Sequence, residues 1–300
     1  MKRCRYLLVG LAALQAVSIP AVHAAEAKAA KKFIRLLRDD DNQPLALQTS
    51  IVRYTPSSSD GPTVDLVGAV HVGDKAYYQR LNEIFRRYDA VLYELVAPED
   101  RKVPHPDGRA GNPISAMQLG FKSMLELEHQ LDWIDYARRN FVHADLSPDE
   151  FARSMADRGE SLVQMFFRAL GQGVALQSKE PAGASEVQLL TALLSRDRAR
   201  QLKRLMAEQF DDSLAVTTLF DGPDGSTIIT VRNERAMDVL AKQLRGGKKQ
   251  IAIFYGAAHL ADMERQLQER FRLKPVNERW LTAWDIGPAP VRTAPAGDGR

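Results

Sequence analysis

Cysteine is all but missing from this chain: Cys4 is the only one among 300 residues. A disulfide framework is excluded, and so is a thiolate-rich zinc site. A charge excess is missing as well. Lysine and arginine number 41, aspartate and glutamate 38, a balance that gives no electrostatic reason to expect nucleic-acid binding. Beyond the first 24 residues no apolar run is long enough to span a bilayer. The stretch at 161–177 holds Met165, Phe166 and Phe167, but it is short and polar-flanked and reads as core or groove lining. Local signatures of nucleotide, dinucleotide, H-E-x-x-H metalloprotease and serine-hydrolase chemistry are all lacking. What remains is 45% hydrophobic and 26% charged, the composition of a globular protein.

The first 24 residues read as a cleaved signal peptide. Lys2, Arg3 and Arg5 lead an apolar stretch that Pro20 breaks, and Val22, His23 and Ala24 offer a cleavage site with small residues. A periplasmic or secreted location follows. Cleavage would remove Cys4 and those three cations, so that the 38 acidic residues are matched by as many basic ones. Residues 25–32 read as a linker, 33–286 as one α/β domain, and 287–300, rich in proline, glycine and alanine, as a disordered tail.

Periodicity supplies the elements. Residues 32–56 read as a hairpin at a sheet edge, turning at 39–44. Residues 63–70 form a buried strand. A helix follows from Asp74, with Tyr77, Leu81, Ile84, Phe85 and Tyr88 at helical spacing, and then a short strand at 89–96. Strand, helix and strand make a βαβ unit with parallel strands. A long helix is expected over 112–139, with Glu126, Glu128 and His129 on its surface, and a short strand at 140–145. Ser147, Pro148 and Glu150 spell a capping box for another helix. Further helices are expected at about 158–172, 186–210 and 226–246, after a loop and cap at 221–226. A buried strand at 249–259, a helix at 260–271 and a closing strand at 279–286 complete a mixed central sheet. A large helical insertion, about 111–246, covers its strand ends.

One phrase is written twice. Residues 68–74 read G-A-V-H-V-G-D and residues 256–262 read G-A-A-H-L-A-D. Each follows an apolar strand and precedes a helix. With 19 glycines and 6 histidines, one Gly-x-x-His arises by chance about 0.4 times in such a chain; two in one setting, each with aspartate three residues on, are less expected. In α/β sheets function gathers at the carboxyl ends of strands, where His71 and His259 both fall. If their strands are neighbours the imidazoles converge, and Glu94, at the end of a third strand, joins them. Two imidazoles and a carboxylate suit Zn²⁺, Mn²⁺ or Co²⁺ with an open position. Glu94 is either the third ligand or a general base. Asp74 and Asp262 read first as helix N-caps, with orientation of the imidazoles as their other role.

These segments, together with Y-D-A-V-L-Y-E-L-V at 88–96 and V-R-N-E-R at 231–235, resemble the TraB/PrgY/GumN superfamily, which includes the Tiki proteases. The resemblance covers roughly residues 45–285, and H-A-D-L-S-P-D-E-F at 143–151 is similar to a segment of bacterial members. It implies a metal or catalytic role for His71, Glu94 and His259. It also implies an anion-stabilising role for Arg232 or Arg235, with Asn233 in support, and metal-dependent proteolysis of a peptide or protein. Tiki proteins are membrane-tethered, whereas this chain reads as having no stable membrane span after signal cleavage, so their substrate does not carry over.

The other candidates have blander roles. His143 reads as a structural histidine under a loop, Asp145 as a turn or cap residue, and His105 as solvated in a polar loop that could act as a flap. The Arg232, Glu234 and Arg235 face could equally be a solvated helix surface. Together these observations lead to an expected exported metal-dependent hydrolase, a peptidase. Haem or metal binding without catalysis and a non-catalytic interaction protein are its alternatives.

Overall fold

The computed structural model describes residues 32–58, 61–98, 127–160, 191–192, 194–195, 197–213 and 226–287. The signal peptide, most of the linker, His105, the apolar stretch at 161–177 and the tail beyond 287 lie outside them.

The amino-terminal hairpin forms as expected. Strands β1 (Ile34–Arg38) and β2 (Pro44–Thr55) pair antiparallel. Asp39 makes the turn, its Oδ1 accepting the amides of Asp41 and Gln43 at 3.1 and 2.7 Å, while Asn42 takes φ 61°. Strand β3 (Thr63–Ala69) pairs with residues 51–54 of β2. A two-residue strand β4 (Val72–Gly73) then leads into helix α1 (Lys75–Phe85) and strand β5 (Ala90–Tyr93).

The segment between β5 and the last buried strand mixes helix and strand. Strand β6 (Glu128–His129) pairs with β4 as a small second sheet. One helical turn, α2 (Gln130–Trp133), follows, then strand β7 (Phe141–His143) and helices α3 (Pro148–Asp157), α4 (Arg198–Ser213) and α5 (Arg232–Arg245). Strand β8 (Gln250–Gly256), helix α6 (Leu260–Phe271) and strand β9 (Lys274–Asp285) close the chain. The Ser147 capping box is present, with Pro148 at the first helical position. Ser226 caps the next helical segment through Ile229 N.

The long helix expected to run to 139 is corrected. Its described part keeps only the single turn of α2, and His129 is half-buried on β6 rather than on a helix surface. Buried Leu127, Gln130, Ile134 and Tyr136 mimic helical spacing, but the chain breaks out of helix to pair with β4 and then to enter β7.

Among the described residues the main sheet has seven strands and is mixed, as expected. β3, β8, β5 and β7 lie side by side and all parallel. The pair expected to be parallel, β3 and β5, is parallel but not adjacent, because β8 arrives late in the chain and fills the place between them. On the other side β2 carries β9 antiparallel along its length, with β1 and β3 following one another along its second edge.

Apolar density explains this order. Every residue of β5, and all of β3 and β8 except their ends, is buried, as a parallel sheet covered on both faces requires. Tyr78, Leu81 and Phe85 of α1, Met237 and Leu240 of α5, and Met263 and Leu267 of α6 supply the covering layers, each fully buried. Leu92, in the centre, is expected to cost about 3 kcal/mol when cut to alanine. Leu194, 86% exposed, should change stability by less than about 0.5 kcal/mol. Urea unfolding of both variants checks the assignment of core and surface.

Candidate functional site

Four parallel strands end at one rim, and each delivers a polar residue there. His71 lies two residues past β3, His259 three past β8, Glu94 one past β5 and Asp145 two past β7. Since β3 pairs directly with β8, and β8 with β5, the adjacency on which the twin phrase depends is present. The chain order reverses here, as in other open α/β sheets with a site at the strand ends.

The centre of the rim is a buried charge cluster. Arg232 is the first residue of α5. It follows a π-helical turn (Thr227–Val231), in which Val231 N donates to Ser226 O at 3.0 Å. Its guanidinium grips Asp145 with two bonds, Nε to Oδ1 at 2.9 Å and Nη2 to Oδ2 at 2.6 Å. Nη2 also donates to Glu94 Oε1 at 2.7 Å. The second Glu94 oxygen accepts Gly256 N at 2.6 Å. Gly256 makes room for that approach, since a Cβ there would crowd Glu94 Oε2 at 3.2 Å. The other glycine of the repeated phrase does different work: a Cβ on Gly68 would meet the backbone oxygen of Phe33 at 3.1 Å.

His259 is 4% exposed and is held from behind. Asn233 Nδ2 donates to Asp262 Oδ2 at 2.8 Å and to the His259 carbonyl at 3.2 Å. Both of those are acceptors only, so Asn233 turns its carbonyl oxygen towards the ring, 2.7 Å from His259 Nδ1. Nδ1 must therefore carry the hydrogen. The other nitrogen, Nε2, is left with a free electron pair, and it faces Glu94 Oε1 at 3.6 Å.

The protonation states follow from the surroundings. Burial alone would raise the Glu94 pKa. The positive charges that His259, Arg232 and His71 can offer, with the Gly256 amide, outweigh it and bring it to about 2. Burial pulls His259 below its ordinary value, Arg232 pushes the same way, and Glu94 opposes only in part. At neutral pH an ionised Glu94 thus faces a neutral imidazole, while the Arg232 guanidinium is shared between Glu94 and Asp145.

The remaining candidates separate. The His71 side chain is exposed, and among the described residues no three histidine, cysteine, aspartate or glutamate side chains are grouped as a ready metal site. Arg232 is committed to Asp145 and Glu94, which makes it a holder of Glu94 rather than a free anion clamp. Arg235 is half-buried and pairs with Glu150 at the start of α3. Asp262 is not a cap: His259 occupies the cap position of α6, and Asp262 binds Asn233, Gln266 and Arg265. Asp74 stands at the cap position of α1, yet its side chain caps nothing. It takes Lys203 Nζ at 2.7 Å and Asp285 N at 2.6 Å. His143 is structural as expected, its Nε2 donating to the Leu95 carbonyl at 2.6 Å. Asp145 is the residue the sequence reading undervalued. Its position just past a short strand was the available signal.

In comparisons with known proteins, no family model, no curated protein and no solved structure matches this chain.

Truncating Arg232 leaves Asp145, whose side chain is fully buried, without its partner. Arg232→Ala is expected to cost about 3–5 kcal/mol in urea unfolding. For pH, both shifts point downward. The contribution of His259 is complete above its unfolded value of 6.5 and declines as the pH falls below it. That of Glu94 is complete above 4.5 and is lost between there and about pH 2. Glu94→Gln is expected to be roughly 3 kcal/mol less stable than wild type at pH 7, with the gap closing as the pH falls towards 2. Unfolding curves across pH in the presence of EDTA measure it.

Proposed function

We propose that this protein is a hydrolase that works at the junction of His259 and Glu94 and requires a divalent cation. One observation carries the reading. Asn233 fixes the Nδ1–H of His259, so Nε2 presents its electron pair to an ionised carboxylate oxygen 3.6 Å away. Two electron-pair donors set face to face need a positive species between them. Bonds of about 2.0–2.2 Å to a common ion can close across that gap. An imidazole whose far nitrogen is held by an amide, itself held by a carboxylate, has the outer support that metal-ligating histidines use.

His259 and Glu94 would hold the ion, Zn²⁺, Mn²⁺ or Co²⁺, with His71 as the third donor from the exposed turn beside them. When bound, the ion would lower the pKa of a coordinated water towards about 7. The chain's own contributions are separate from that. Asn233 and Asp262 set the tautomer and direction of His259. Arg232 and Gly256 N hold Glu94 ionised and in place. If the ion is held by the two histidines, Glu94 Oε1 keeps an electron pair with which to take the proton of an attacking water; His259 Nε2, whose single pair goes to the ion, does not serve as that base.

The peptide or protein as substrate rests on the resemblance of the twin motif, Glu94 and the Arg232–Asn233 pair to the TraB/PrgY/GumN superfamily. Export rests on the amino-terminal sequence. Haem ligation has less in its favour, since His259 faces a carboxylate and not a second imidazole. No helix among the described residues is long and apolar enough to cross a membrane.

Metal content of the purified full chain, cobalt and zinc titrations and a peptide-library digest test the proposal. His259→Ala is expected to lose more than about 10-fold in metal affinity and about 100-fold or more in turnover. Asn233→Ala should lose about 10–100-fold in affinity while its fold is retained. Folded His259→Ala protein with wild-type metal content and wild-type turnover would end the hydrolase reading.

A further inference from the structure

His71 presents a contrast that the proposed site leaves unexplained. His71 is exposed, yet the backbone carrying it is pinned from several sides. The Val70 carbonyl accepts the Tyr78 hydroxyl at 3.0 Å. The His71 carbonyl accepts Gln130 N at 2.9 Å. The Val72 carbonyl accepts Trp284 Nε1 at 2.7 Å, and the Gly68 carbonyl accepts the Tyr77 hydroxyl at 2.8 Å. Asp74 N donates to the Ala283 carbonyl at 2.8 Å. Three separate parts of the fold, α1, α2 and β9, converge on the seven residues from Gly68 to Asp74.

The two bonds that matter most flank the histidine. Tyr78 holds the peptide plane before His71 and Gln130 holds the plane after it. Two fixed planes fix the φ and ψ of the residue between them, and with those the direction of its Cα–Cβ bond. Gln130 is itself stapled, its Nε2 donating to the Tyr136 hydroxyl at 2.6 Å. Gly73 leaves room for the arrangement, since a Cβ there would crowd the Tyr78 hydroxyl at 3.2 Å. Nothing in helix packing demands the hydroxyl: the Tyr78 ring is fully buried, and phenylalanine would fill the same space.

We infer that Tyr78 is a positioning residue that pre-sets the His71 backbone, so that the exposed imidazole reaches the His259–Glu94 junction with little ordering left to do. The inference rests on the hydrolase reading for its purpose, though not for its geometry.

Tyr88 provides the control. It lies further along the same segment, its hydroxyl is also buried, and it donates to Asp65 at 2.6 Å, within β3 and away from the rim. Tyr78→Phe and Tyr88→Phe each remove one hydroxyl bond, and Tyr88→Phe is expected to lose at least as much in Tm, because its acceptor is the carboxyl group of Asp65 rather than a backbone carbonyl. Only Tyr78→Phe should lower the affinity of the full chain for Co²⁺, by about 10-fold in a d–d absorption titration. Only Tyr78→Phe should bring the backbone order parameter at His71 down from about 0.85 towards 0.6. Equal effects of the two variants on cobalt affinity, or an unchanged order parameter at His71 in Tyr78→Phe, overturn the inference. If the wild-type chain binds no cobalt, the metal reading falls instead, and the order-parameter comparison alone decides whether Tyr78 sets the turn.

Discussion

The rim of this sheet depends on the Arg232 guanidinium and the two carboxylates it holds together. Asp145 and Glu94 come from the ends of different strands, β7 and β5, in a place where a charge without a partner is costly. Arg232 is the partner of both, and its planar fork supplies the three bonds that the geometry requires. Remove it and two buried carboxyl groups are left at the strand ends without the cation that joins them. Keep it and Glu94 stands ionised beside a neutral imidazole, the juxtaposition on which any chemistry here turns.

The second support runs behind His259. Asp262, Asn233 and the His259 ring form a chain in which each hydrogen-bond direction dictates the next. The carboxylate accepts only, so the amide must donate to it, so the amide oxygen must face the ring, so the ring must donate from Nδ1. Both supports begin on neighbouring residues, Arg232 and Asn233, at the first turn of α5. One helix start therefore governs the charge of Glu94 and the tautomer of His259 at once. The π-helical turn just before it sets where those two side chains leave the backbone.

The twin phrase shows how far local sequence can be trusted. G-A-V-H and G-A-A-H are near-identical in local sequence, and both sit at adjacent parallel strand ends. Their surroundings differ. β8 is flanked by β3 and β5, and Asn233 of α5 binds the residue that follows it, so His259 is buried and held. The chain after β3 is drawn aside by β4 pairing with β6, so His71 is exposed on a braced turn. The two aspartates at the third position diverge as well: Asp74 ties α4 and β9 to the turn, while Asp262 reaches back to Asn233. Neither caps its helix with its side chain, since each has a partner from elsewhere in the chain that offers a stronger bond.

The mixed sheet, the hairpin, the βαβ direction, the Ser147 capping box and the placing of His71, Glu94 and His259 at strand ends were legible in the sequence. They follow from periodicity and turn chemistry, which act over a few residues. The role of Asp145 and the engagement of Arg232 were not legible, nor was the insertion of β8 between β3 and β5. Those are decided by contacts between residues 87 to 162 positions apart. Local composition cannot say which carboxylate will meet which guanidinium, because only the packed sheet brings the strand ends into register. The sequence by itself determined that two histidines would end strands; the tertiary structure decided that one would be buried against a carboxylate and the other left at the surface.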